Sequence, residues 1–96
     1  MVEPLNASTV VAELDFLHQE LTESFRSNHW PEVSARLDRV AKIAEFEGRR
    51  ELCLRAQSLR EIMGNRPAQP SDRVNELFTD LLFQVSHLKW VAQSRL

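Results

Sequence analysis

Few side chains in this 96-residue chain can do covalent chemistry: three histidines, His18, His29 and His87, one cysteine, Cys53, and the carboxylates. A nucleophile needs a base within hydrogen-bond reach, and a metal needs several ligands at recurring spacings. No His and acidic set here has metal-ligand spacing, and no Gly-rich phosphate loop exists. His18 falls at the margin of an apolar helical stripe, and His29 lies in a turn as a capping or exposed residue. Cys53 has no Cys or His neighbour at zinc-ligand spacing and no second cysteine to bond, which fits a reducing compartment. No catalytic residue, metal or cofactor is therefore expected. One polar pair has a defined helical spacing: Asp38 and Lys42 stand at i and i+4, the geometry of a solvated ion pair worth a few tenths of a kcal/mol.

The stretch that holds this pair, WPEVSARLDRVAKIAEFEG from Trp30 to Gly48, resembles the core helix of histidine phosphotransfer (HPt) domains. There a short turn opens a helix reading roughly A-H-x-L-K-G-x-A, with a Gly ten positions after the His. In this chain the His position is Asp38, the Leu position Val40 and the Lys position Ala41. The close-packed Gly is Lys42, the small residue is Ala44 and the terminating Gly is Gly48. LDFLHQELTESFRSNHWPEV precedes the stretch as the family's first bundle helix would, and ELCLRAQSLREIM follows in place of its third.

The resemblance implies the family's fold without its chemistry. The phosphorylated residue must be a nucleophile at neutral pH, as imidazole is, and the Asp38 carboxylate would yield a mixed anhydride instead. Receiver-type aspartyl phosphates depend on a divalent metal and an acidic cluster that this helix does not supply. Lys42 replaces the Gly that lets a partner's backbone come close. Around the pair, Ser34, Ala35, Ala41 and Glu45 are expected to form a surface of small and charged side chains able to dock a receiver. A fixed negative charge at Asp38 would imitate a phosphorylated site only weakly, having one charge and one oxygen fewer. His87, in SHLKWVA, makes a second, out-of-register match: Leu and Lys come one residue early, and Trp90 stands where the shifted motif would place its Gly.

Composition bounds what remains. Hydrophobic residues make up 43% and charged residues 27%, ordinary for a globular protein, while two Gly and four Pro leave little material for turns or a sheet. A net charge of -2 and a pI near 5.9 give no general attraction to nucleic acid or anionic lipid, so neither is expected as a partner. MVEPLNASTVV carries an acidic residue where a signal peptide would have basic ones, and no apolar run approaches the ~18 residues of a membrane span. A cytoplasmic protein is expected.

Apolar spacing near 100° per residue predicts four amphipathic helices and no strand. The first, about 8–27, carries the stripe Val10, Leu14, Leu17, Leu21 and Phe25, with Asn6 or Ser8 able to cap it. After the turn SNHW, a second helix at about 31–46 opens on Pro31, buries Trp30, Val33, Leu37, Val40 and Ala44, and stops at a left-handed Gly48. The third, about 49–63, buries Leu52, Ala56, Leu59 and Met63. NRPAQP then breaks the chain as a loop, and Ser71 or Asp72 caps a last helix at about 72–94 with the stripe Val74, Leu77, Phe78, Leu81, Val85, Leu88 and Ala92. Short connections favour antiparallel neighbours, so residues 1–96 are predicted to form a single all-α domain, an up-down-up-down, HPt-like four-helix bundle.

Four apolar residues fall outside these stripes: Phe16, Leu54, Phe83 and Trp90. Phe83 and Trp90 nearly superpose on the back of the last helix with His87 beside them, a patch suited to self-association unless the segment around Leu5 covers it or the helix rotates. Three readings of function follow. The first is a degenerate HPt-like module that docks a response-regulator receiver, as plant pseudo-phosphotransfer proteins lacking the His are thought to occupy partners. The second is a structural bundle that dimerises through Phe83, His87 and Trp90, and the third an enzyme acting through His87.

Overall fold

The structure is a computed structural model that describes residues 7–64 and 72–96. Four helices appear in chain order: α1, Ala7–Arg26; α2, Trp30–Phe46; α3, Arg50–Gly64; and α4, Asp72–Gln93. No strand occurs among the described residues. The predicted cap at Asn6, the covering segment around Leu5, the loop NRPAQP and the cap at Ser71 lie outside them.

Two chain reversals share one device. At Gly48, with φ of 72°, the Arg49 amide donates to the Ala44 carbonyl at 2.7 Å and the Gly48 amide to that of Glu45 at 3.1 Å. This is the Schellman pattern, in which the amide of a left-handed residue and the amide after it satisfy orphan carbonyls. The same pattern ends α1, where Asn28 takes φ of 59°, His29 N–H donates to Ser24 at 2.9 Å and Asn28 N–H to Phe25 at 3.2 Å. Asn tolerates the left-handed region better than other residues with a Cβ. Pro31 then sits in the first turn of α2, where its missing N–H leaves no carbonyl unpaired. His29 occupies the N-cap without a side-chain cap hydrogen bond; its ring is exposed, with Nδ1 3.9 Å from Glu32.

The helices close on one core. α1 packs on α2 and α4, α3 packs on α2 and α4, and the widest contact is between α2 and α3. The predicted stripes are buried: Leu14, Leu21, Leu37, Leu59, Leu81 and Val85 expose at most 1% of their surface. Phe25, Trp30 and Leu77 are partly buried against this core. Phe25 stacks on Phe78 at a centroid distance of 4.0 Å and receives the edge of Trp30 at 5.4 Å, which joins α1, α2 and α4 at one end. The radius of gyration of 13.1 Å is that of a compact chain of this length.

The core is wider than the predicted stripes on the α2–α3 side. Ala41, Ile43 and Cys53 are buried as well. Ala41 was expected to line a docking surface and does not: at 5% exposure it belongs to the core. The reason is that α2 packs on both α1 and α3, so its buried arc broadens past a single stripe and takes in the residue next to Val40.

Ion pairs link the helices around this core. Arg39 grips Glu13, with Nη2 2.6 Å from Oε1 and Nε 3.1 Å from both carboxylate oxygens. Lys89 reaches Asp15 at 2.7 Å, and Arg55 reaches Asp80 at 2.5 Å. Ser24, the one buried polar residue of the described core, donates from its hydroxyl to Glu32 at 3.2 Å.

Candidate functional site

Asp38 lies on the side of α2 turned away from Leu37 and Val40, and its side chain is 38% exposed. Both carboxylate oxygens are engaged. Lys42 Nζ stands 3.2 Å from Oδ2, one turn along the same helix, and Arg60 Nη1 stands 3.2 Å from Oδ1 from across the groove on α3. The Arg60 guanidinium also donates through Nε to Ser34 Oγ at 3.2 Å. Ser34, Asp38 and Lys42 are spaced by four residues, so α2 brings them to one flank and Arg60 ties two of them to α3. Each pair is solvent-accessible and contributes well under about 1 kcal/mol to stability, so the clasp orders the surface more than it holds the fold.

The charge of this flank differs from that of a bare carboxylate. One anion sits between two cations, so its charge is largely balanced and less able to imitate a phosphate facing solvent. The two cations also draw on the carboxylate's electron density and make it a weaker nucleophile than a bare one. Nothing near Asp38 in sequence points to Arg60, which follows 22 residues later.

The other predicted members of the flank divide. Ser34 is half-buried, and Ala35, Lys42 and Glu45 are exposed. Glu45 leads into an open cleft of about 380 Å³ at the α2–α3 turn, lined also by Gly48, Arg50, Cys53, Leu54 and Gln57. Leu54 is 52% exposed on this cleft, while the Cys53 thiol is free and buried. The clasp and the cleft therefore adjoin along the α2–α3 edge.

On α4, Phe83 and Trp90 are 77% and 65% exposed. His87 is exposed as well and lies over Trp90, with centroids 6.4 Å apart and planes 23° from parallel. Phe16 is half exposed but carries the Arg36 guanidinium 5.4 Å from its ring centre. Phe46 and Ile62 are also exposed apolar residues, which the helical wheel alone did not single out.

The three histidines lie apart, on α1, at the α1–α2 turn and on α4. Among the described residues no group of three His, Cys, Asp or Glu could hold a metal ion. Among them, too, no helix is long and apolar enough to cross a membrane. No family model, curated protein or solved structure matches this chain.

Proposed function

We infer that the chain is a non-catalytic binding module of HPt-like type, an up-down-up-down bundle that docks a response-regulator receiver or a related two-component partner without accepting phosphate. The docking surface is the α2 flank of Ser34, Ala35, Asp38, Lys42 and Glu45 together with Leu54, Gln57 and Arg60 of α3. The clasp on Asp38 carries this reading. It stands where the resembling family places its histidine, it offers no imidazole, and the exposed Lys42 and Arg60 suit the acidic cluster of a receiver. The adjoining cleft supplies what a charged clasp lacks, an apolar anchor at Leu54, since interfaces draw most of their energy from buried side chains near the centre. Glu13 pairs with Arg39 and Glu20 with Arg36, an opposite sequence order on α1 and α2 that supports antiparallel packing of these two helices. A cytoplasmic setting, where such partners work, agrees with the single free thiol of Cys53.

The test is a titration of the isotope-labelled chain with the receiver domains of its source cell, followed by amide shifts. Saturable shifts confined to residues 34–45 and 54–60 are expected, with no acid-labile, base-stable label after incubation with a phosphorylated receiver. A full set of receivers that leaves those amides unmoved removes the reading. Stoichiometric label that disappears in His87→Ala replaces it with an active phosphotransferase.

A further inference from the structure

Across the bundle from the clasp, the outer face of α4 carries a long run of exposed residues with little fixed charge. Between Glu76 and the end of the helix its exposed residues are Thr79, Phe83, Ser86, His87, Trp90 and Gln93, and none carries a fixed charge. This occurs in a chain with 27% charged residues. The two charged side chains of the same span are drawn off sideways. Asp80 turns to Arg55 on α3 and Lys89 to Asp15 on α1, each half-buried. Beyond the helix Arg95 is held by Glu47. Pairs made within the chain draw charge from the centre of the face and leave Glu76 and Asp80 beside Phe83 at one end, while the face keeps the most exposed Phe and the exposed Trp. Phe16 shows the contrast, because Arg36 covers its ring; Phe83 has no ring or cation partner among the described residues.

We propose that this face is the two-fold interface of a homodimer, in which α4 packs antiparallel on α4 of a second copy with Phe83 against the partner's Trp90. The spacing is self-complementary. Phe83 and Trp90 are seven residues, or about 10 Å, apart on one stripe, and the midpoint falls between Ser86 and His87. A second copy rotated about that midpoint forms two Phe–Trp pairs at once, and the small Ser86 near the axis lets the helices approach. The uncharged centre of the face gives a charged partner nothing to pair with, whereas a second copy brings an equally uncharged one, and isologous contact is the commonest way for a chain to meet itself.

The area places the contact at the small end of interfaces. At 77% and 65% exposure the two aromatics leave roughly 300 Å² open per chain, since such side chains bury 150–250 Å² each. Two chains give about 600 Å² from the aromatics, and Thr79, Ser86, His87 and Gln93 bring the total toward the ~1,200 Å² at the small end of specific interfaces. An interface this small makes a weak dimer, with the packing of the aromatics rather than area setting its constant within the micromolar range. The dimer does not depend on the receiver reading. Because α2 and α4 make at most marginal contact, it leaves the Asp38 flank of each copy uncovered.

Sedimentation equilibrium of the full chain from about 10 µM to 1 mM spans the expected constant and should show a reversible monomer–dimer system. Trp90→Glu and Phe83→Glu should each weaken it at least tenfold while circular dichroism keeps its helical signal. Register is tested by disulfide trapping in a Cys53→Ala background. Ser86→Cys should cross-link with itself, and Thr79→Cys should cross-link only when mixed with Ser94→Cys. A monomer throughout the range overturns the proposal, as does a dimer indifferent to both glutamate variants. Self-cross-linking of Thr79→Cys overturns the antiparallel register. If Trp90→Glu loses its helical signal, the Phe83→Glu and trapping results still decide.

Discussion

Arg60 binds Asp38 and Ser34 at once, 3.2 Å from each, so one residue of α3 spans a full turn of the α2 flank. Arg60→Ala opens the clasp on one side and leaves Lys42 as the sole cation beside Asp38. Because the pair is about half exposed, the loss in urea unfolding should stay below about 1 kcal/mol. Receiver binding, where it occurs, should fall several-fold and lose part of its salt dependence, measured as affinity at two ionic strengths. Unchanged affinity in the presence of wild-type binding would place the interface elsewhere.

Leu37 and Asp38 are chain neighbours with opposite fates. Leu37 is fully buried, so Leu37→Ala should cost about 2–5 kcal/mol through lost burial and the cavity left behind. In so small a domain that approaches the whole stability. Asp38→Ala should cost a few tenths of a kcal/mol. Equal effects in chemical denaturation would contradict the placement of the α2 core stripe.

Gly48→Ala isolates backbone conformation from packing. A Cβ at residue 48 would meet nothing within 4 Å, yet φ is 72°. The change should therefore cost about 1 kcal/mol through left-handed strain alone. Asn28→Gly should be neutral or slightly stabilising at the matching stop on α1, and Asn28→Val clearly destabilising. Thermal melts of the three variants check the order.

Under the proposed HPt-like reading, two changes on the flank test for a vestigial phosphotransfer site. Asp38→His supplies the imidazole and Lys42→Gly supplies the room, so the double variant should take up label from a phosphorylated receiver where either single variant does less. The family's Lys at residue 41 should not be added, since Ala41 is buried and a lysine there would force a charge into the α2–α3 packing. Acid-labile label on the double variant is the expected outcome, and a variant that binds receivers yet stays unlabelled would argue against descent of this flank from a working site.

The helices and their core stripes could be read from the chain because periodicity and caps are local properties. Gly48 announced its role by type, and Pro31 by position. Asn28 did not, because Asn is common in many loop conformations and only the two amide hydrogen bonds identify it as a helix stop. Ala41 was misplaced for a different reason. Its burial depends on how widely α3 covers α2, and that is a matter of packing between segments. The same limit hid Arg60, whose link to Asp38 crosses two helices, whereas the Lys42 link runs along one. Phe83 and Trp90 stood out correctly because exposure opposite a strong stripe is again local.

Trp30 and Trp90 divide the optical signal of the protein. The sequence has no tyrosine and two tryptophans. Trp30 is wedged edge-on against Phe25, which stacks on Phe78; Trp90 stands largely in solvent on α4. Emission from the first follows the integrity of the junction of three helices. Emission from the second follows whatever comes to rest on the outer surface. Iodide, which quenches the exposed indole more strongly than the partly buried one, separates them in one cuvette, so the native chain reports its folding and its association through two built-in fluorophores without any label.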